Sequence, residues 1–269
     1  MTVQHFRNLS SDIGIAQQGK AGVGKGILAL GNLYGNATHY EHDELQRIFG
    51  AVGSPTRIGY FDDFLGAAVS TRWATDLSTG ATIAINSQVG GAIRFSTDTD
   101  DDDHATLALG LNFKVGSGIL WFGARVKAVS AITLRAIEVG VSDALSETNG
   151  LAFSNHSAAG VTAVATDAVV FGYDTDASMT KWAANAVNAG GTPQAEDTGV
   201  APSTSYQDLE IVIDTDGNAQ FYINGTLITT FTDALAVNTL VTPWISLKSL
   251  SGAIKSIDVD FAYMMGERP

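Results

Sequence analysis

Residues 205–231, SYQDLEIVIDTDGNAQFYINGTLITTF, decide the fold. Leu209, Ile211 and Ile213 alternate with polar or smaller neighbours, the period-2 pattern of a strand with one buried face. Asp214-Thr215-Asp216-Gly217-Asn218 follows, and Asp, Gly and Asn tolerate the left-handed backbone that a hairpin turn demands. Phe221 and Ile223 resume the alternation, and Asn224-Gly225 makes a second tight turn into 227–231. Successive hairpins of this kind predict an antiparallel sheet.

Working outward, strand-like runs recur at short spacing from Tyr60 onward: 81–86, 92–96, 105–112, 119–129, 132–141, 150–153, 161–165 and 168–174. A Gly/Ala/Thr-rich connection over 185–205 precedes the hairpins, and 244–247 and 254–263 supply a last pair. Short strands separated by Gly, Asp and Asn, without helical periodicity, predict an all-β sandwich over 59–269. No repeat of fixed period is present.

Residues 1–58 read differently. Between residues 10 and 35 the segment is rich in Gly and Ala, and its apolar residues form no sustained stripe. One short helix is expected over 39–49, with Glu41, Asp43 and Glu44 in its first turn and Leu45, Ile48 and Phe49 on one side. Gly50 and Gly53-Ser54-Pro55 stop it. The segment is too poor in apolar mass to fold alone, so an extended arm is expected.

The chain has 269 residues, no cysteine and a net charge of −13. Neither a disulfide nor a cysteine metal site holds it together. Residues 1–58 are nearly neutral, with five basic side chains against four acidic ones, so the acidity lies in the remainder. An acidic body repels phosphate backbones, which argues against nucleic acid. No apolar run reaches the roughly 18–20 residues of a membrane span. The first residues, MTVQHFRNLSSD, lack the basic start and apolar core of an export signal, so a chain made and used from the cytoplasm is expected.

Several constellations invite chemistry, and each has a plainer reading. Residues 19–26, GKAGVGKG, match the phosphate-loop pattern except at Gly26, where the magnesium-binding hydroxyl is missing, and a Gly-rich arm accounts for them. Asp98, Asp100, Asp101, Asp102 and Asp103 form a dense acidic run, of which Asp98, Asp100 and Asp102 are candidate calcium donors. Five carboxylates so close in the chain, four of them consecutive, cannot all point inward, so a solvated loop is preferred and no cofactor is expected. His39 and His42 have helical zinc spacing, but a solvated helix face accounts for them.

A glycosidase needs paired carboxylates projecting from one strand. The ExDxxE pattern of family 16 glucanases is absent, and the nearest candidates, Glu138 and Asp143, are read as straddling a Gly-Val turn. No Ser-His-Asp arrangement has local support, so no enzymatic activity is expected. Trp121 and Trp244 lie in apolar strands and read as core. Trp182, beside loop-like sequence, is the candidate for an exposed sugar-stacking ring, with Asn185 and Asn188 nearby.

Phe61-Asp62-Asp63-Phe64-Leu65, Trp73, Gly90-Gly91-Ala92-Ile93-Arg94, Ala124-Arg125-Val126-Lys127, Gly140-Val141-Ser142-Asp143-Ala144, the FYINGTLI hairpin and a final IDVDFAY strand follow one another in order. In that order they resemble the concanavalin A-like (laminin G-like) jelly rolls in virion proteins of tailed bacteriophages. The resemblance covers residues 60–268. It implies a non-enzymatic structural protein of the virion surface, above all a capsid decoration (cement) protein assembled in the host cytoplasm. Its partners would be the major capsid protein and sister subunits in a homo-oligomer such as a trimer. Docking would run through the arm, with Leu45, Ile48 and Phe49 as contacts. The alternative is a tail-associated or other receptor-recognition protein that binds surface glycans on the sandwich's concave face, through Trp182, Asn185 and Asn188.

Overall fold

The computed structural model describes residues 57–86, 90–129 and 132–268. Residues 1–56 of the arm, with its expected helix over 39–49 and the docking residues Leu45, Ile48 and Phe49, lie outside the described residues. The chain divides into two compact units, 1–59 and Tyr60–Pro269, and nearly all the described residues belong to the second.

Two antiparallel sheets make up the expected sandwich. The first is ordered β13 (Gln194–Asp197), β12 (Ala183–Val187), β11 (Ala168–Asp174), β8 (Arg135–Ser142), β17 (Leu240–Ser249), β5 (His104–Ala108), β2 (Ala74–Leu77), with β6 (Phe113–Lys114) also on β17. The second is ordered β16 (Thr226–Phe231), β15 (Ala219–Ile223), β14 (Gln207–Ile213), β7 (Leu120–Ala128), β18 (Ser256–Glu267), β4 (Ile93–Ser96), β3 (Thr82–Ile85), with β1 (Arg57–Asp62) on β18. A two-stranded ribbon, β9 (Phe153–Asn155) with β10 (Thr162–Ala163), completes the described strands.

The hairpins form as their sequence dictates. Asp214 Oδ1 accepts the Asp216 and Asn218 amides (both 2.9 Å), and Gly217 takes φ +80°. Asn224 and Gly225 both have positive φ (50° and 73°), the primed turn whose twist suits a two-residue hairpin. Leu209, Ile211, Ile213, Phe221 and Ile223 are buried, and Phe221 meets Phe171 of the opposite sheet edge-on at 5.1 Å between ring centroids.

One lateral edge of the sandwich is stitched. Glu196 on β13 accepts the Thr229 hydroxyl on β16, and Gln194 Nε2 donates to the Thr232 carbonyl (3.0 Å). Asn188 Nδ2 donates to Asp233 Oδ1 (2.6 Å). These bonds join the outermost strands of the two sheets.

Strands β12 and β13 fall where the sequence predicts only a Gly/Ala/Thr-rich connection. The run AANAV carries weak strand propensity, and its place between β11 and β13 is set by pairing rather than by side-chain preference.

Candidate functional site

One cluster of chemistry-bearing residues lies on the face of the first sheet that points away from the second; the outer face of the second carries ion pairs of Arg94 and Lys127 with Asp258 and of Arg125 with Asp208 and Asp260. Along β8 the side chains alternate: Ile137, Val139 and Val141 enter the core between sheets, and Ala136, Glu138, Gly140 and Ser142 take the other face. Register places Ser246, Glu138 and Gly172 in one row across β17, β8 and β11. The next row holds Trp244, Gly140, Val170 and Asn185.

This face is covered. The chain between β8 and β11, residues 143–167, folds back over it as a 3-10 turn (Thr148–Gly150) and the β9–β10 ribbon. Ala152, Phe153 and Ala165 pack on Ala108, Ala168, Val170, Val187 and Trp244, making a second apolar cluster outside the sandwich core. Burying Phe153 alone contributes about 2–3 kcal/mol. Polar anchors fix the cover in register. The Gly150 carbonyl accepts the Thr106 and Ser246 hydroxyls, and Gly150 (φ +71°) lies where a Cβ would meet the His104 ring at 2.4 Å.

Glu138 is the central anchor, and its side chain has no exposed surface. Its Oε2 accepts the Ala152 amide (2.8 Å) and Trp244 Nε1 (2.6 Å), and its Oε1 accepts the Phe153 amide (2.7 Å). His156 Nε2 stands 3.4 Å from Oε1. The imidazole fits because Gly172 has no side chain: a Cβ there would sit 2.2 Å from His156 Nδ1. Asn185 Nδ2 donates to the His156 carbonyl (3.1 Å), which leaves Asn185 Oδ1 to accept from Nδ1 (3.1 Å). Nδ1 therefore carries the hydrogen, and the Nε2 lone pair faces Glu138.

The electrostatics agree with that tautomer. Burial pushes Glu138 up to about 8 against the pull of its three N–H donors, and the Glu147 charge adds to the rise. Burial holds His156 down to about 4, opposed by Asn185. A single proton thus serves the pair, between Glu138 Oε1 and His156 Nε2. Beside them Glu147 is raised to about 7 by burial and then by Asp143, and Asp143 is raised by burial, with Asp167 contributing.

What can this arrangement do? Glycoside hydrolysis needs two carboxyls flanking an open cleft, about 5–5.5 Å apart for retention or 6.5–9.5 Å for inversion. Glu138 is sealed from solvent and both its oxygens are taken, so it holds the cover rather than a substrate. The expected Gly-Val turn between Glu138 and Asp143 does not exist. Gly140 and Val141 lie inside β8, and Asp143 follows the strand with its amide bonded to the Asp167 carbonyl.

The sugar-stacking expectation is corrected in the same way. Trp182 is 2% exposed, donates from Nε1 to Gln207 Oε1 (3.2 Å) and meets Tyr173 edge-on. The cross-sheet partner Gln207 satisfies its indole, so loop-like neighbours in sequence do not bring it to the surface. Asn185 is wholly buried against His156, and Asn188 belongs to the edge stitching. Trp244 is buried as expected but in the outer cluster, whereas Trp121 is only half-buried.

The acidic run does not converge either. Asp98 fills the space beside Gly80, Asp100 is exposed, and Asp102 (φ +69°) pairs with Lys248 at 2.8 Å. Among the described residues no group of three His, Asp or Glu side chains is placed to hold a metal ion. Sequence reasoning missed His156, Gly172 and the anchoring role of Glu138. The available signal was the unbroken burial potential of AIEVGV and AVVFGY, which implies cover on both faces of a strand.

No family model matches the chain, and no curated protein does. Solved structures do match it in fold. A protein of unknown function from Shewanella oneidensis MR-1 aligns at 15% identity over 87% of this chain and 96% of its own, with a TM-score of 0.54. The Emp47p carbohydrate recognition domain aligns at 9% identity over 78% and 95%, with a TM-score of 0.52. A Bacillus licheniformis β-glucanase aligns at 12% identity over 78% and 98%, with a TM-score of 0.51. Similarity at these identities concerns the backbone arrangement alone. The fold of this chain is the concanavalin A-like sandwich of lectins and glucanases.

Proposed function

We propose that the chain is a non-catalytic carbohydrate-recognition protein. The observation that carries this reading is the state of Glu138. On the outer face of the first sheet the central carboxyl, Glu138, is sealed under residues 143–167 and saturated by three N–H donors, while Asp76 and Asp174 on the same face accept from Ser146 and from the Asp176 and Ala177 amides. What remains is a rigid sandwich whose fold is shared with a carbohydrate recognition domain as well as with a glucanase. The test is a glycan-binding screen run beside an assay for new reducing ends and unsaturated products. Saturable binding without product formation is expected. Product formation that vanishes in Glu138→Gln overturns the non-catalytic reading.

The resemblance to virion proteins leads to a proposal about attachment. Residues 1–58 are nearly neutral and the body is acidic, which suits a protein that docks by its arm and shows its body to solvent. Full-length protein carrying Leu45→Ala, Ile48→Ala and Phe49→Ala should lose co-sedimentation with phage capsids or tails. Unchanged occupancy removes the arm from the docking contacts.

A further inference from the structure

The cover over the first sheet creates a cleft of its own. A cavity of about 370 Å³ opens between β10 and the loop joining β12 to β13, within the usual range of small-molecule sites. Val161 and Pro193 give it apolar walls, Thr162 and Thr166 line it with hydroxyls, and Gly190 and Gly191 contribute backbone whose amides are already bonded to the Thr166 and Asn188 carbonyls. Both threonines are exposed, and neither hydroxyl is engaged by another described residue. Among the described residues strand β10 pairs only with β9.

The frame is pre-organised. The Gly190 amide donates to the Thr166 carbonyl (2.7 Å), tying the loop to the cover. Asp167 Oδ1 accepts the Ala189 amide (3.1 Å) and the Ala236 amide (2.8 Å), and Asn188 is held by Asp233. Gly190 has φ +66°, and at Gly191 a Cβ would meet the Asn188 carbonyl at 3.0 Å. A side chain at Gly190 is strained by its φ and one at Gly191 crowds the Asn188 carbonyl, so backbone forms this wall of the cleft. Ordering costs on binding are thereby reduced.

The geometry points to this cleft as the glycan subsite, taking a neutral saccharide unit rather than a uronate; this rests on the carbohydrate-recognition reading. Small apolar walls suit the C–H face of a sugar ring, and the two threonine hydroxyls suit its hydroxyls. Among the described residues no ionisable side chain lines the cleft, so a carboxylate entering it would lose water without gaining a partner. The net charge of −13 repels polyanions at longer range.

The test titrates the full chain with neutral gluco- and manno-oligosaccharides and with an oligo-uronate of matched length. It uses calorimetry and amide chemical-shift mapping. The expected result is binding of a neutral probe, with shifts at the Thr162, Thr166, Gly190 and Gly191 amides. Thr162→Trp, which fills the cleft from an exposed position, should weaken that binding at least tenfold. A Thr162→Ala/Thr166→Ala double variant should weaken it with unchanged near-UV dichroism. Neutral-probe binding with shifts elsewhere and indifference to these variants overturns the cleft assignment and leaves the recognition reading standing. Binding of the uronate alone overturns the neutral class. Binding of no glycan at all overturns the recognition reading and this inference together.

Discussion

Removing the Glu138 side chain tests the role given to it. In Glu138→Ala the amides of Ala152 and Phe153 and the Trp244 indole N–H lose their acceptor inside a site without solvent access. Each buried donor left unsatisfied costs roughly 1–3 kcal/mol. Partial relaxation of the cover offsets some of that, so the expected loss is about 3–6 kcal/mol, a large share of the roughly 5–15 kcal/mol that holds a typical domain. Glu138→Gln keeps one carbonyl oxygen for Ala152 and Trp244 and turns its amide toward His156 Nε2, which can accept. Only the Phe153 amide then faces a donor, and about 1–2 kcal/mol is expected. Urea denaturation followed by tryptophan fluorescence and far-UV dichroism measures both variants. For a domain of this size the alanine variant should melt on the order of 10–15 °C lower. An alanine variant within about 1 kcal/mol of wild type would refute the anchoring argument, as would a glutamine variant no better than alanine.

The remaining expectations concern proton linkage, packing and metal. In the fold the Glu138–His156 pair holds one proton from about pH 4 to about 8. The unfolded chain holds two below 4.5, one between 4.5 and 6.5 and none above. The raised Glu138 contributes stability that is full below 4.5 and lost as pH rises to 8; the depressed His156 contributes stability present above 6.5 and lost as pH falls to 4. Their slopes cancel from pH 4.5 to 6.5, so the pair adds no pH dependence there, and the fall in wild-type stability over that window comes from Glu147, raised to about 7. Between 6.5 and 8 the pair should lose about 2 kcal/mol, a loss absent from Glu138→Gln in parallel urea titrations. Gly172→Ala drives a Cβ into His156 and Asn185 and should cost about 1–3 kcal/mol, with altered near-UV dichroism; an unperturbed spectrum and melting point contradict the packing described. Trp182→Ala should cost about 3–5 kcal/mol of stability and leave glycan affinity per folded molecule unchanged, whereas a selective loss of affinity would restore it as a ligand contact. Added calcium or EDTA should not move the melting point, because Asp98 sits beside Gly80, Asp102 pairs with Lys248 and Asp100 is exposed; a calcium-dependent rise contradicts this.

The sandwich itself was readable because its decisive signals are local. Alternation along 209–213 and 221–223 and the Asp-Gly and Asn-Gly turns are set by residues close in the chain, and β11 spans the expected 168–174. The site was not readable for the opposite reason. Whether Trp182 meets solvent depends on Gln207 and Tyr173, brought to it by folding. Glycine misled at Gly140, which resembles a turn residue in sequence but lies mid-strand in β8. The small residues of the 143–167 segment gave no hint of its position, because Ala152, Ala163 and Ala165 suit a strand, a loop or a cover equally well. Its place is specified from beneath, by Glu138 on the strand just before it and by Thr106 and Ser246 on strands remote in sequence.

Placing that segment over the first sheet turns a two-layer sandwich into three layers, with β8, β11 and β17 in the middle one. Every residue of β8 and β11 is buried. Backbone amides there have no route to water through local fraying, so their hydrogen exchange proceeds only when the whole domain opens. Exchange rates in these strands are therefore a gauge of global stability. A ligand that binds the folded form, at the cleft or anywhere else on the body, slows that exchange in proportion to its occupancy. The middle layer is thus a built-in sensor for a binding partner whose identity need not be known in advance.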